Sequence, residues 1–192
     1  MKKILLFVVL LLFMSSNARA AYVNAALGAA VSPSAGSASG SSPANIVDGN
    51  YNSFSQLYGS HSAWWQLNIA SQQRIDQIVI RALGYNTANG INYTLTSYDV
   101  YFKVNSGDAW TKIVDFDGSA QPAGQYANTH DLDIPVTGQY FLMNVNYSLW
   151  SDPLLFEIEL NQDTNPPAAI PEPATLSLLL LGIAAVSGKL KK

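Results

Sequence analysis

The chain has 192 residues and a mass of 20.7 kDa, enough for one ordinary domain with appendages. With 48 % hydrophobic and only 12 % charged residues it has too much apolar surface to stay disordered, and with no cysteine it has no disulfide, thiolate metal site or cysteine nucleophile. Six of its ten Lys and Arg residues lie at the two ends, so four basic side chains stand against twelve acidic ones between residues 48 and 163. That net charge of −8 has the wrong sign for a phosphate backbone and excludes nucleic acid as a partner.

The first element is an address. Lys2 and Lys3 precede an unbroken apolar run over residues 4–14, followed by Ser15, Ser16, Asn17 and the small-x-small ending Ala18-Arg19-Ala20. This order predicts a secretory signal peptide over residues 1–20, cut between Ala20 and Ala21, because the run is short for a bilayer span.

From residue 21 to 163 the apolar pattern has period two, which selects strands. Trp65, Leu67 and Ile69 form one inward set, and Ile78 with Ile80 a second. Tyr98, Val100, Phe102 and Val104 form a third, and Trp110 with Ile113 a less regular one. Phe141, Met143, Val145 and Tyr147 come next, and Phe156, Ile158 and Leu160 last. Turn-forming clusters such as Gly84-Tyr85-Asn86, Asn105-Ser106-Gly107-Asp108 and Asp117-Gly118 separate them. The Ser/Ala/Gly run over residues 32–42 reads as a loop. Short strands with polar connections and no interleaved helix predict an all-β antiparallel sandwich or jelly roll. Trp65 and Trp110 belong to its core, while Trp64, on the opposite side of the strand from Trp65, lies on a rim or under a loop.

A proline-rich linker follows over residues 164–170. Pro171-Glu172-Pro173, an apolar stretch over residues 174–186 and Lys189, Lys191 and Lys192 end the chain. Prolines keep the start extended, the apolar stretch can partition into a bilayer, and the lysines stay cytoplasmic. The three parts in this order closely resemble the PEP-CTERM sorting signal of Gram-negative bacteria. The resemblance implies export, transient contact with the membrane through a hydrophobic sorting helix, recognition by an exosortase, and cleavage near the motif that leaves the protein at the cell surface or outside it. It identifies a destination and no activity.

The middle of the chain carries a second resemblance. Ala25-Ala26-Leu27-Gly28-Ala29-Ala30-Val31, Pro43-Ala44-Asn45-Ile46-Val47-Asp48-Gly49-Asn50, Trp64-Trp65-Gln66-Leu67-Asn68-Ile69, Ile75-Asp76-Gln77-Ile78-Val79-Ile80, Tyr98-Asp99-Val100-Tyr101 and Phe156-Glu157-Ile158-Glu159-Leu160 occur in that order. The domain resembles the coagulation-factor-5/8 type C, or discoidin-like, domains, and in style the bacterial family 32 carbohydrate-binding modules. The resemblance implies a galactose-binding-like jelly roll that binds glycans or surfaces through loops at one end, with a structural calcium ion and no catalysis of its own.

Calcium takes six to eight oxygens, many of them backbone carbonyls, so a glycine-bearing turn with one carboxylate and a distant second can make a site. Carried over by position, the resemblance gives Asp48 and Glu157 as carboxylates, and Asn45, Asn50 and Phe156 as carbonyl donors. Ser53 and Phe54 depart from the Thr and Trp usual there. The alternative is that Asp48-Gly49 is only a turn and Glu157 a solvated strand residue. Sugar recognition needs an aromatic face and planar polar groups, and the resemblance points to His61, Arg81, Asn86 and Trp150. Each is otherwise an ordinary surface or packing residue. His130 beside Asp131 and Asp133 invites an acid–base reading, but a polar strand edge accounts for it equally. No nucleophile elbow or phosphate loop occurs.

The expected function is a non-catalytic, exported protein that binds carbohydrate, with the producer's own exopolysaccharide as the partner suggested by its sorting signal. The rivals are a structural or adhesive matrix protein that uses the same fold for protein contacts without sugar, and a glycan-active enzyme.

Overall fold

Two strands of unusual length organise the domain. β4 (Ala63–Leu83) begins with strict alternation, Ala63, Trp65, Leu67 and Ile69 buried and Trp64, Asn68 and Ala70 exposed, which is a strand with one face on a core. It pairs antiparallel with β9 (Gln125–Ser148), and this pairing jumps twice. Four residues of β4 lie between Asn68 and Gln73 where one of β9 lies between Tyr140 and Gly138; the imbalance reverses between Ile75/Val136 and Gln77/Asp131. Bulges on both strands are how a pair turns a corner, so each contributes its two halves to opposite layers of a sandwich. Gly138 sits at the corner because a Cβ there would meet Phe102 Cδ2 at 2.9 Å and Lys103 O at 3.2 Å.

The structure, a computed structural model, describes residues 21–58, 61–118 and 121–164. The expected signal peptide, the linker from residue 165 and the sorting tail with Pro171, Glu172 and Pro173 lie outside the described residues. In the first layer β2 (Ala30–Pro33) flanks the early half of β4. The late half of β9 continues to β7 (Leu95–Lys103) and β8 (Thr111–Asp117). In the second layer the late half of β4 lies between β9 and β10 (Leu154–Asp163), which also pairs with β1 (Tyr22–Asn24) and β3 (Ser55–Gln56). β5 (Tyr85–Asn86) and β6 (Ile91–Asn92) form a small separate hairpin.

Inward side chains of both layers meet in one cluster, with Trp65, Leu67, Ile75, Ile78, Ile80, Tyr98, Phe141, Met143, Ile158 and Leu160 at its centre. A 3-10 turn over Pro43–Val47 adds Ile46 and Val47. Trp65 also donates its indole N–H to the buried Ser55 Oγ at 3.0 Å, so the largest core side chain leaves no orphaned donor. The all-β antiparallel sandwich expected from the period-two pattern is present.

Three expected core positions are not core, the first being Val104, which lies past the end of β7 and is only half-buried. Tyr147 is 47 % exposed because the β7–β9 register shifts between Ser97↔Tyr147 and Tyr98↔Val145, which turns Tyr147 outward and the next residue, Ser148, inward. Trp110 precedes β8 instead of lying in it and is only half-buried, with Lys103 Nζ over its ring at 4.6 Å. Trp64 is a rim residue, 37 % exposed. Burial pushes the His130 pKa down, against a smaller opposing effect of Asp131. Its Nε2 meets the Tyr98 hydroxyl at 2.7 Å, while Asp131 Oδ1 accepts from Gln77 Nε2.

Candidate functional site

Strand register brings three connections to one end of the sandwich. Ser148 N–H donates to His61 O at 2.9 Å, Leu149 N–H to Thr94 O at 3.0 Å, and Leu57 N–H to Pro153 O at 3.2 Å. The segments that enter β4, leave β4 for β7, and leave β9 for β10 are therefore neighbours. Side chains follow: the His61 ring stacks on Tyr147, centroids 5.1 Å apart and 7° from parallel, and Trp150 meets Tyr93 edge-on at 6.3 Å. His61 Nδ1 lies 2.8 Å from Ser148 O, an acceptor only, so Nδ1 carries the proton and Nε2 is the acceptor of the neutral ring. Trp150 is 39 % and Tyr58 54 % exposed. Tyr58 lines a cleft of about 310 Å³ together with Ser34, Leu57, Ser62, Trp64 and Asn144, none of them charged.

The four residues expected to bind ligand do not all meet. His61 and Trp150 share this end, and Asn86 belongs to the loop that also holds Tyr93, where its Oδ1 accepts from Ala88 N–H at 2.9 Å. Arg81 projects from the second layer. It pairs with Glu159 Oε1 at 2.6 Å and lies 4.2 Å over the Tyr51 ring, bordering a different cleft of about 210 Å³ with Gln125 and Tyr126. Sequence reasoning missed Tyr147 and Tyr93 as members.

Of the residues expected to hold calcium, Asp48, Asn50 and Ser53 are joined in one loop, which reaches Glu157 through Gly49. Gly49, at φ +74°, lets residues 48–53 fold tightly: Asp48 Oδ1 accepts from Asn50 N–H at 2.8 Å and Oδ2 from Ser53 Oγ at 2.7 Å. Asn50 O accepts from both Ser53 N–H and Ser53 Oγ, and Asn45 Nδ2 donates to Phe54 O at 2.9 Å. Across from this loop, β10 bulges between Leu155↔Ala82 and Glu157↔Arg81, leaving Phe156 as the extra residue. Glu157 is fully buried, which removes the solvated-strand alternative. Its Oε1 accepts from Gly49 N–H at 3.3 Å, whereas Oε2 is buried without a hydrogen-bond partner. Burial, then the nearby Asp48 and Glu159 charges, push its pKa up to about 7 against the Gly49 hydrogen bond and Arg81.

A buried carboxylate oxygen without a donor, within reach of the Asp48 charge, has the chemistry that a hard cation would satisfy. Among the described residues no three His, Cys, Asp or Glu side chains form a metal cluster.

No curated protein matches the chain. Solved structures do. The family 32 module of *C. perfringens* NanJ in complex with galactose superposes with a TM-score of 0.59 at 12 % identity, covering 74 % of this chain and all of that one. Chitosan-binding module 1 of a chitosanase/glucanase from *Paenibacillus* sp. IK-5 gives 0.58 at 18 % identity, covering 71 % and 97 %. A further family 32 module, from a family 31 glycoside hydrolase of *C. perfringens*, gives 0.62 at 14 %, covering 72 % and 97 %. The F5/8 type C domain model matches residues 29–157, about two thirds of the sequence. The chain therefore belongs to the F5/8 type C domain family.

Proposed function

We propose that this domain binds carbohydrate without catalysing a reaction, through the loop end that holds His61, Tyr147, Tyr93 and Trp150. The observation that carries the reading is the gathering of aromatic rings at this end, His61 stacked on Tyr147 and Trp150 edge-on to Tyr93, with an uncharged cleft at the entry to β4 whose Tyr58, Trp64 and Asn144 add ring faces and an amide for hydroxyls. Family membership supports it, since superposing modules bind galactose or chitosan by their own descriptions.

One calcium ion fits the Asp48 loop as a structural brace, held by the Asp48 and Glu157 carboxylates and by carbonyls of Asn45, Asn50 and Phe156, with Ser53 in contact through Asp48. The ion would supply the positive charge that Glu157 lacks. Its work is to join the 48–53 loop to β10. The sequence of the two ends supports export, processing by an exosortase at Pro171-Glu172-Pro173, and display or release at a bacterial surface, where an extracellular polysaccharide is the natural partner.

A glycan array probed with the purified protein, in millimolar calcium and again in chelator, tests this reading. Selective retention is expected, weakened by chelation. No retention in either buffer would overturn it in favour of a matrix protein that makes protein contacts.

A further inference from the structure

The outward face of the first layer offers more than the loop end uses. Trp64 lies opposite Asn144, Gln66 opposite Leu142, and Asn68 opposite Tyr140, so aromatic and amide side chains face outward together across β4 and β9. Trp110, at the entry to β8, reaches over this face. With Trp64, Gln66 and Leu142 it lines a groove of about 210 Å³. Trp64 borders both this groove and the 310 Å³ cleft at the loop end, so the two adjoin at its side chain.

We propose that the domain takes an internal stretch of a neutral, linear polysaccharide, which runs from the loop cleft over Trp64 and onto the sheet face as far as Trp110. The proposal rests on the carbohydrate-binding reading of the loop end and names the class of glycan that end receives. Three chemical arguments carry it. Indole faces and primary amides are the groups that hold pyranose rings and their hydroxyls. None of the four groove residues is charged, Lys103 over the Trp110 ring already donates to Ser106 O, and the net −8 between residues 48 and 163 disfavours a polyanionic chain. The cleft and the groove, about 310 Å³ and 210 Å³ on either side of Trp64, together offer more room than a single sugar ring fills.

The test uses the full chain and an array of neutral polysaccharides (β-glucans, galactans, mannans, xylans and chitin). Calorimetry with one- to six-unit oligosaccharides of the retained glycan then follows. Affinity is expected to rise about tenfold or more from two units to six, the scale of one good stacking contact. Trp110→Ala and Gln66→Ala should each erase most of that gain while two-unit binding stays unchanged. Gln66→Ala, on the outward face, carries the test if Trp110→Ala fails to fold. Two-unit binding with no gain on lengthening, or a gain that survives both substitutions, would overturn the proposal and leave the loop site standing. A wild-type dimer that Trp110→Ala converts to monomer would assign the face to a second copy and overturn it as well. Retention of no glycan would remove the loop-site reading and this proposal together.

Discussion

Glu157→Gln perturbs the calcium-free protein in a direction opposite to that of most core changes. In the folded chain the Glu157 pKa is pushed from 4.5 to about 7, chiefly by burial. Between those values the folded state holds a proton that the unfolded state has lost, so stability in chelator falls as pH rises from 4.5 to 7. At 1.36 kcal/mol per unit the loss is on the order of 3 kcal/mol, or roughly 10 °C in melting temperature for a domain of this size. His130 contributes the opposite slope. Its pKa is lowered, so the unfolded state binds more protons near pH 6 and stability there rises with pH. Comparing wild type with Glu157→Gln at each pH cancels that effect. Melting curves from pH 4.5 to 8.5 in chelator should show the variant gaining on wild type as pH rises. Added calcium should stabilise wild type most at high pH, where Glu157 is ionised, and should leave the variant nearly unmoved. A wild-type minus variant difference that stays flat across this range, or an equal calcium shift in both proteins, would refute the account of the Asp48–Glu157 pair.

Trp65→Ala removes the largest core side chain and leaves Ser55 Oγ buried without its donor. Chemical denaturation should show a loss of about 3–5 kcal/mol. Gly84→Ala places a Cβ 2.1 Å from Pro122 O, whereas Gly107→Ala meets nothing within 4 Å. The first should cost about 1–3 kcal/mol or more and the second a few tenths, read by the same denaturation. In glycan titrations Trp150→Ala and His61→Ala should each weaken binding about tenfold, whereas Arg81→Ala, whose contacts are with Glu159 and Tyr51, should change it less than about twofold.

Much of the fold was legible because burial on one face of a strand writes itself into every second residue. Trp65, Leu67 and Ile69, or Phe156, Ile158 and Leu160, could be assigned from spacing alone, and the structure buries all six. What spacing cannot carry is a bulge. A single extra residue changes the side on which everything beyond it lies, and this is why Tyr147 reads as core and instead stacks on His61. Trp110 misled for a related reason: an aromatic beside a strand is counted with it, although its ring rests under a lysine. The residues expected to hold calcium came from the family resemblance, yet the orphaned Oε2 of Glu157 depends on burial by a distant loop and is invisible in sequence. Arg81 shows the limit of carrying residues over by position. A neighbouring acid, Glu159, two residues along β10 from Glu157, takes the guanidinium onto another face.

The central claim is that the loop end is where sugar is held. A nuclear magnetic resonance titration of the labelled protein with the two-unit form of the retained glycan tests it residue by residue. The account predicts that amide and ring shifts concentrate at His61, Tyr93 and residues 147–152, with the Tyr51–Arg81 cleft and Asp48 loop left unmoved. Shifts centred on Arg81 and Tyr51, with the loop end silent, would contradict it.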